Sequence, residues 1–62
     1  MALRYYKVPL ENGVFQGVQY EDIVEGIAFQ KHADTGFGFI ATEATYAFEE
    51  VTEAEFNAER MG

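Results

Sequence analysis

Hydrophobic and polar residues alternate in short runs along most of the chain, and the runs are separated by residues that favour turns. Residues 3–8 are rich in aromatic and β-branched side chains and predict a strand. Pro9 is expected to end that strand, because proline has no N–H to donate to a neighbouring strand. Asn12-Gly13 predicts a tight turn. Residues 14–20 are therefore expected to pair back on the first strand, with Gly17 marking a bulge.

A second hairpin is predicted in the middle of the chain. An apolar pattern resumes at residues 23–30, and residues 37–40 read Phe-Gly-Phe-Ile. Between them, residues 34–36 (Asp-Thr-Gly) fit a type I turn with glycine in the left-handed position. The two Phe side chains are expected on one face of their strand, and the glycine between them leaves room on the other face.

The last twenty residues are consistent with two structures. Residues 45–48 alternate like a strand, and Thr52 followed three residues later by Glu55 matches a helix capping box. Helix-forming residues then continue to Met61. Alternatively, a stripe of apolar residues at helical spacing predicts a single helix from about residue 43. We favour a strand followed by a helix, because the capping box places a helix start at Thr52.

These patterns predict an α+β fold, with a small antiparallel sheet of three to four strands and one C-terminal helix. The 62 residues are expected to form a single small domain, 1–62. The chain has no cysteine, so neither a disulfide nor a cysteine-based zinc site stabilises it. Stability is then expected to come from a core rich in the four Tyr and six Phe residues, or from burial against another chain. The core is expected to centre on four of them: Phe29, Phe37, Phe39 and Phe48.

The charge of the chain restricts its partners. Eleven acidic residues against four basic ones give a net charge of −7. Nucleic acids and anionic membranes attract clustered Lys and Arg, so direct binding to either is not expected, whereas a basic protein partner is favoured. No apolar run approaches the roughly 20 residues of a membrane span. Residues 1–6 lack the features of a signal peptide, and we expect an intracellular protein.

No combination of residues indicates catalysis or a bound cofactor. His32 is the only histidine, and Asp34, two residues later, is explained equally well by turn chemistry. No acidic loop has the spacing of a calcium site. Residues 36–39 contain two glycines but lack the third glycine and the lysine of a phosphate-binding loop. We therefore expect a non-enzymatic protein without a metal or cofactor.

Tyrosines and acidic residues provide candidate contact surfaces. Tyr5 and Tyr6 are adjacent on a strand and must face opposite sides. Because a sheet with one helix is covered on one side only, one of them is expected to be exposed or covered by another chain. Six acidic residues lie between positions 43 and 59 with no intervening base, and would steer a partner electrostatically. The predicted partner-binding residues are Tyr5, Tyr6, Tyr20, Tyr46, Glu49, Glu50 and Glu53.

The C-terminal segment Phe-Glu-Glu-Val-Thr-Glu-Ala-Glu-Phe-Asn, residues 48–57, resembles the tails of very small phage and prophage accessory proteins. In those tails a strand leads into a helix beginning V-T-x-x-E-F. The resemblance carries over no functional residue. It implies a virion accessory component or an inhibitor of a host system, found in the host cytoplasm or in the virion.

Together these features predict a non-enzymatic interaction protein. Its aromatic strand faces would dock on another copy, forming a homo-oligomer, or on a larger protein partner. One alternative is an acidic decoy inhibitor that mimics nucleic acid and blocks a basic cleft. The other alternative is a small-ligand-binding protein with an aromatic pocket between protomers, lined by Phe37, Phe39 or Tyr46.

Overall fold

The computed structural model describes residues 3–23, 26–32 and 36–61. Their elements are β1 (Arg4–Glu11), β2 (Val14–Phe15), α1 (Tyr20–Ile23), β3 (Ile27–His32), β4 (Phe37–Thr42), β5 (Glu49–Val51) and α2 (Glu53–Met61). The five strands form an antiparallel sheet in the order β2-β1-β4-β3, and β5 pairs with β1. The predicted α+β class, with a small antiparallel sheet and a C-terminal helix, is confirmed.

β1 is the central strand and continues through Pro9, so the prediction that Pro9 ends it is wrong. On one side, the N–H of Leu10 donates to the carbonyl of Gly36 at 2.7 Å. On the other side, the carbonyl of Pro9 accepts from the N–H of Gln16 at 2.9 Å. The N–H and C=O of one residue point the same way in an antiparallel ladder. The missing N–H of Pro9 therefore points to the side of Gln16, just after β2 ends, and the pairing of β1 with β4 on the other side continues.

The Asn12-Gly13 turn forms as predicted, with φ of 53° and 81°. Positive φ at both central residues is the requirement of a type I′ turn. The predicted pairing of residues 14–20 is too long, because only Val14 and Phe15 pair with β1. Gly17 has φ of 77° and turns the chain away from the sheet. The residues that follow form α1, a helix that the alternating pattern does not predict.

β3 and β4 form the predicted central hairpin, with Phe29 opposite Phe39. Gly36 has φ of 87°, which is the left-handed conformation predicted for it. The two other residues of the predicted turn, Asp34 and Thr35, lie outside the described residues.

The outer strand β3 carries an irregularity at Lys31. Gln30 pairs with Gly38 and His32 pairs with Phe37, so Lys31 is an extra residue in the ladder. Its ammonium group forms an ion pair with Glu59 of α2. A bulge and a lysine on an edge strand both hinder pairing with another strand.

One face of the sheet, here called the helix face, is covered by α2. Phe56 is the buried residue of this helix, at 1 % exposure. Its ring centroid lies 5.1 Å from that of Tyr5 and 5.3 Å from that of Phe29. The buried cluster consists of Phe39, Ala41, Val51 and Phe56, with Leu3, Tyr5, Phe29 and Phe37 packed against it.

The opposite face, here called the loop face, is covered by β2, α1 and the irregular residues 43–48. The ring of Phe15 lies directly on Gly38, where an added Cβ would be 2.7 Å from it. The amide of Gln30 donates to the carbonyl of Gly13, which holds the tip of the β1–β2 hairpin across this face. The buried cluster consists of Tyr6, Val8 and Ile40, with Phe15, Val18, Ile23, Tyr46 and Phe48 packed against it.

Both interpretations of the segment after residue 43 need correction. Residues 45–48 are not a strand, no helix begins at residue 43, and the strand in this region is β5. The alternation of Tyr46 and Phe48 reflects two stacked rings, 5.5 Å apart, that cover the loop face. The helix start is confirmed, because the N–H of Glu55 donates to the hydroxyl of Thr52 at 3.1 Å, as in a capping box.

The predicted phenylalanine core is correct in part. Phe39 is buried at 2 % exposure, whereas Phe29, Phe37 and Phe48 are half-buried at the margins of the two clusters. The core predicted from the sequence does not include Phe56, which lies on the side of α2 that faces the sheet.

Candidate functional site

Tyr5 and Tyr6 face opposite sides of β1, but neither is exposed. Tyr6 is 1 % exposed, and its hydroxyl donates to the carbonyl of Ala44 at 3.3 Å. Tyr5 is half-buried beneath Phe56. The expectation of one exposed tyrosine is wrong, because the prediction counted only α2 as a covering layer. Tyr5 packs against the buried cluster of the helix face, and Tyr6 belongs to that of the loop face.

Tyr46 and Tyr20 have opposite environments. Tyr46 is half-buried, and its hydroxyl oxygen is buried with no hydrogen-bond partner among the described residues. Burial, and after it the neighbouring carboxylate of Asp22, raises the pKa of Tyr46 to about 12. Tyr20 is 69 % exposed. Of the four predicted tyrosines, Tyr20 alone is largely exposed.

The raised pKa of Tyr46 makes stability depend on pH in the alkaline range. The folded state holds this proton more tightly than the unfolded state, whose tyrosine has a pKa of 10.0. The stabilisation that protonated Tyr46 gives the folded state is therefore complete below pH 10 and is lost as the pH rises through the folded pKa of about 12. At about 1.4 kcal/mol per pKa unit, we expect a loss of at most about 3 kcal/mol in the free energy of unfolding, because solvent screens a group that is only half-buried.

Urea unfolding between pH 9 and 12 measures this loss, with Tyr46→Phe as the matched control. The variant retains the ring and lacks the ionisable group, so its stability should fall less steeply with pH by that amount. Equal slopes for the two proteins would contradict the assignment.

The predicted acidic contact residues point in different directions. Glu49 and Glu50 are adjacent on β5 and lie on opposite faces of the sheet. Glu50 accepts from Arg4 at 2.9 Å in an exposed ion pair, and this hydrogen bond raises the pKa of the Arg4 guanidinium. Glu53 is the first residue of α2 on the helix face, where a carboxylate is favoured by the helix dipole. The acids of this segment do not form one continuous surface.

A cleft of about 340 Å³ lies at the edge of β1 where β5 ends. Its most specific feature is the ammonium of Lys7, which lies 4.4 Å from the ring centre of Phe37. Phe37 is the one residue of the predicted aromatic pocket that lines this cleft; Phe39 and Tyr46 do not line it. The lining residues are Lys7, Val8, Pro9, Gly36, Phe37, Ala47, Phe48 and Glu49.

A second cleft of about 320 Å³ lies between the β1–β2 hairpin and α1, and we call it the hairpin groove. Val14 is 64 % exposed on one wall and Tyr20 is 69 % exposed on the other. Three half-buried apolar side chains lie between them. The lining residues are Gly13, Val14, Phe15, Val18, Tyr20 and Ile23.

Both walls of the hairpin groove are anchored on β4. The hairpin wall is fixed by the contact of Phe15 with Gly38. The α1 wall is fixed by the hydroxyl of Thr42, which donates to the carbonyl of Asp22 at 2.8 Å. Because each wall has its own attachment to the central sheet, the chain forms the groove by itself.

The described lining of the hairpin groove consists of apolar residues, one glycine and one tyrosine. Within residues 3–23, 26–32 and 36–61, Tyr20 is the only titratable residue that lines it. Among residues 3–23, 26–32 and 36–61, no three His, Cys, Asp or Glu residues are grouped so that they could hold a metal ion. The described helices include none with the length and hydrophobicity required to cross a membrane.

Of the residues in the hairpin groove, the sequence-based prediction identified Tyr20 alone. Val14, Phe15 and Val18 were assigned to a strand paired with β1, and Ile23 to the next apolar run. The turn-forming Gly17, followed by Glu21 and Asp22, was the available indication that the strand ends early.

No protein-family model, curated protein or solved structure shows significant similarity to this chain. The resemblance of residues 48–57 to small phage proteins therefore stays a prediction. Arguments about function depend on the chain's own surface.

Proposed function

We propose that this chain is a non-enzymatic protein-interaction domain and that the hairpin groove is its contact surface. The observation that supports this is the exposure of Val14 and Tyr20 on opposite walls of one groove. Large hydrophobic side chains exposed together, with more apolar surface between them, are typical of protein interaction sites.

The groove has the composition of an interface centre. Tyrosine is enriched at interface positions that dominate binding, because it combines a large apolar ring with a polar tip. An apolar side chain such as Val14 contributes about 1.5–3 kcal/mol when it is fully buried. The anchored walls also reduce the entropy lost on binding.

The proposed surface differs from the strand faces expected from the sequence. The aromatic residues on those faces are covered by α2 on one side and by the loop-face layer on the other. The bulge at Lys31 opposes growth of the sheet at β3, and a net charge of −7 on each copy opposes close self-association. A different protein is therefore favoured over a second copy.

The two alternative functions have less support. A nucleic-acid decoy needs carboxylates on one continuous face, whereas Glu49 and Glu50 lie on opposite faces and Glu50 and Glu59 are paired with bases. A small-ligand pocket between protomers needs several aromatic rings around one cavity, whereas Phe37 is the one predicted ring in the cleft beside Lys7 and none of the three lines the hairpin groove.

Capture of a partner from the native source tests the proposal. The immobilised chain should retain a discrete protein, and the double variant Val14→Ser/Tyr20→Ser should retain at least about tenfold less of it, since a tenfold change corresponds to about 1.4 kcal/mol. Both residues are largely exposed, so thermal unfolding of the variant should match that of the parent chain.

The matched control is Ile27→Ser/Met61→Ser, which removes two exposed apolar side chains elsewhere (40 % and 86 % exposed). It should retain the partner at the parental level. Undiminished capture by the groove variant, or equal loss in both variants, would overturn the proposal.

A further inference from the structure

We infer that the hairpin groove accepts a basic amphipathic segment of its partner, in which an apolar stripe is flanked by Lys or Arg. This inference rests on the proposed function and adds the chemistry of the partner. Its basis is the charge around an apolar groove rather than the groove alone.

The helix that forms the α1 wall of the groove carries two acidic residues next to the lining residues. Glu21 is exposed and Asp22 is half-buried, and both lie between the groove residues Tyr20 and Ile23 in the same short helix. Neither forms an ion pair with a described residue. Asp22 also lies beside the hydroxyl of Tyr46. A segment that places its apolar side chains in the groove therefore brings its flanking residues close chiefly to the exposed carboxylate of Glu21.

The basic residues of the chain do not neutralise the charge of Glu21 and Asp22. Arg4, on the loop face, is bound to Glu50 and also donates to the hydroxyl of Thr45. On the helix face, Lys31 is paired with Glu59, and Lys7 lies over Phe37. Arg60 is in the last turn of α2, also on the helix face. The described loop face therefore offers no uncommitted Lys or Arg beside the groove.

A second copy of the chain does not supply the complementary surface. Its longer helix, α2, begins with Glu53 and Glu55 and keeps Phe56 buried against its own sheet. Placing that helix on the groove would bring carboxylates against carboxylates, which is unfavourable. A basic segment from a different protein satisfies both the apolar and the electrostatic requirement.

A pair of synthetic amphipathic helical peptides tests this inference by fluorescence anisotropy. They share one leucine stripe and differ in their flanking residues, which are Lys in one peptide and Glu in the other. The Lys peptide should bind at least about tenfold more tightly, which corresponds to about 1.4 kcal/mol. Its advantage should shrink as ionic strength rises from about 0.01 M to about 1 M, where the Debye length falls from about 30 Å to about 3 Å.

Two charge reversals separate local complementarity from the overall charge of the chain. Glu21→Lys changes the groove wall, and Glu53→Lys makes the same change in charge on the helix face. We expect Glu21→Lys to abolish the preference for the Lys peptide and Glu53→Lys to leave it largely intact. Val14→Ser/Tyr20→Ser should weaken binding of the Lys peptide without changing the charge.

Three results would overturn the inference: both peptides binding equally, neither binding, or equal effects of the two charge reversals. Sedimentation showing a dimer that Val14→Ser/Tyr20→Ser dissociates would also overturn it, because the occupant would then be a second copy. If any of these results were obtained, the proposed function would still stand provided that capture from the native source depended on Val14 and Tyr20. Capture independent of them would remove both.

Discussion

Replacing Phe56 with alanine is expected to leave the chain largely unfolded at room temperature. Phe56 is 1 % exposed and connects α2 to Tyr5 and Phe29 of the sheet. Truncating a buried phenylalanine costs about 3–5 kcal/mol. A hydrophobic core in a domain of this size supplies about 3–5 kcal/mol of net stability, so one substitution removes most of it. Circular dichroism and urea unfolding would measure the loss.

The matched control is Met61→Ala on the same helix. Met61 is 86 % exposed, and a surface substitution of this kind changes stability by no more than about 0.5 kcal/mol. If Phe56→Ala unfolded cooperatively at the parental urea concentration, α2 would not be docked on the helix face.

Replacing Tyr6 with alanine is expected to destabilise the loop face by a similar amount, about 3–5 kcal/mol. The ring is 1 % exposed and meets Tyr46 edge-on with centroids 5.8 Å apart. Tyr6→Phe keeps the ring and removes only the hydroxyl that donates to Ala44. That variant should lose about 0.5–1.5 kcal/mol, the usual net contribution of one hydrogen bond. Urea unfolding of both variants gives the comparison.

This pair also separates a core role from a contact role for Tyr6. If Tyr6 is a core residue, the Tyr6→Ala protein is unstable whether or not a partner is present. A stable Tyr6→Ala protein that had lost its partner would contradict the structure and restore the interface role predicted from the sequence.

The local elements that depend on short-range chemistry were predictable from the sequence. A type I′ turn requires positive φ at two adjacent residues, and Asn12 and Gly13 both adopt it. Thr52 caps the helix through the N–H of Glu55. In each case the interaction joins residues a few positions apart, so the sequence contains the whole interaction.

The covering of the loop face was not predictable in the same way. It depends on residues 43–48, which have no regular structure but place Tyr46 and Phe48 over the sheet. It also depends on α1, a helix of four residues that is too short to produce a periodic pattern. Without this layer, the sequence predicts that one of Tyr5 and Tyr6 is exposed or covered by another chain.

Pro9 shows why strand ends are difficult to predict. Whether a proline interrupts a strand depends on which neighbour its missing N–H would have faced. Here the missing N–H points toward Gln16, just after β2 ends, so the pairing of β1 with β4, a strand distant in sequence, continues.

The hairpin groove was missed for a related reason. An apolar run such as residues 14–20 is expected to bury alternate side chains when it forms a full strand. Because pairing stops at Phe15, Val18 and Tyr20 leave the sheet, and together with Val14 they line a groove.

Site-specific photocrosslinking is the most direct test of whether the hairpin groove is the contact surface. A photoreactive p-benzoylphenylalanine replaces Tyr20 in one variant and Glu53, on the helix face, in the other, and both are irradiated in extract from the native source. We predict a discrete crosslinked product at position 20 and none at position 53. A product at position 53 alone, or at neither position, would contradict the proposal that this chain acts through the hairpin groove.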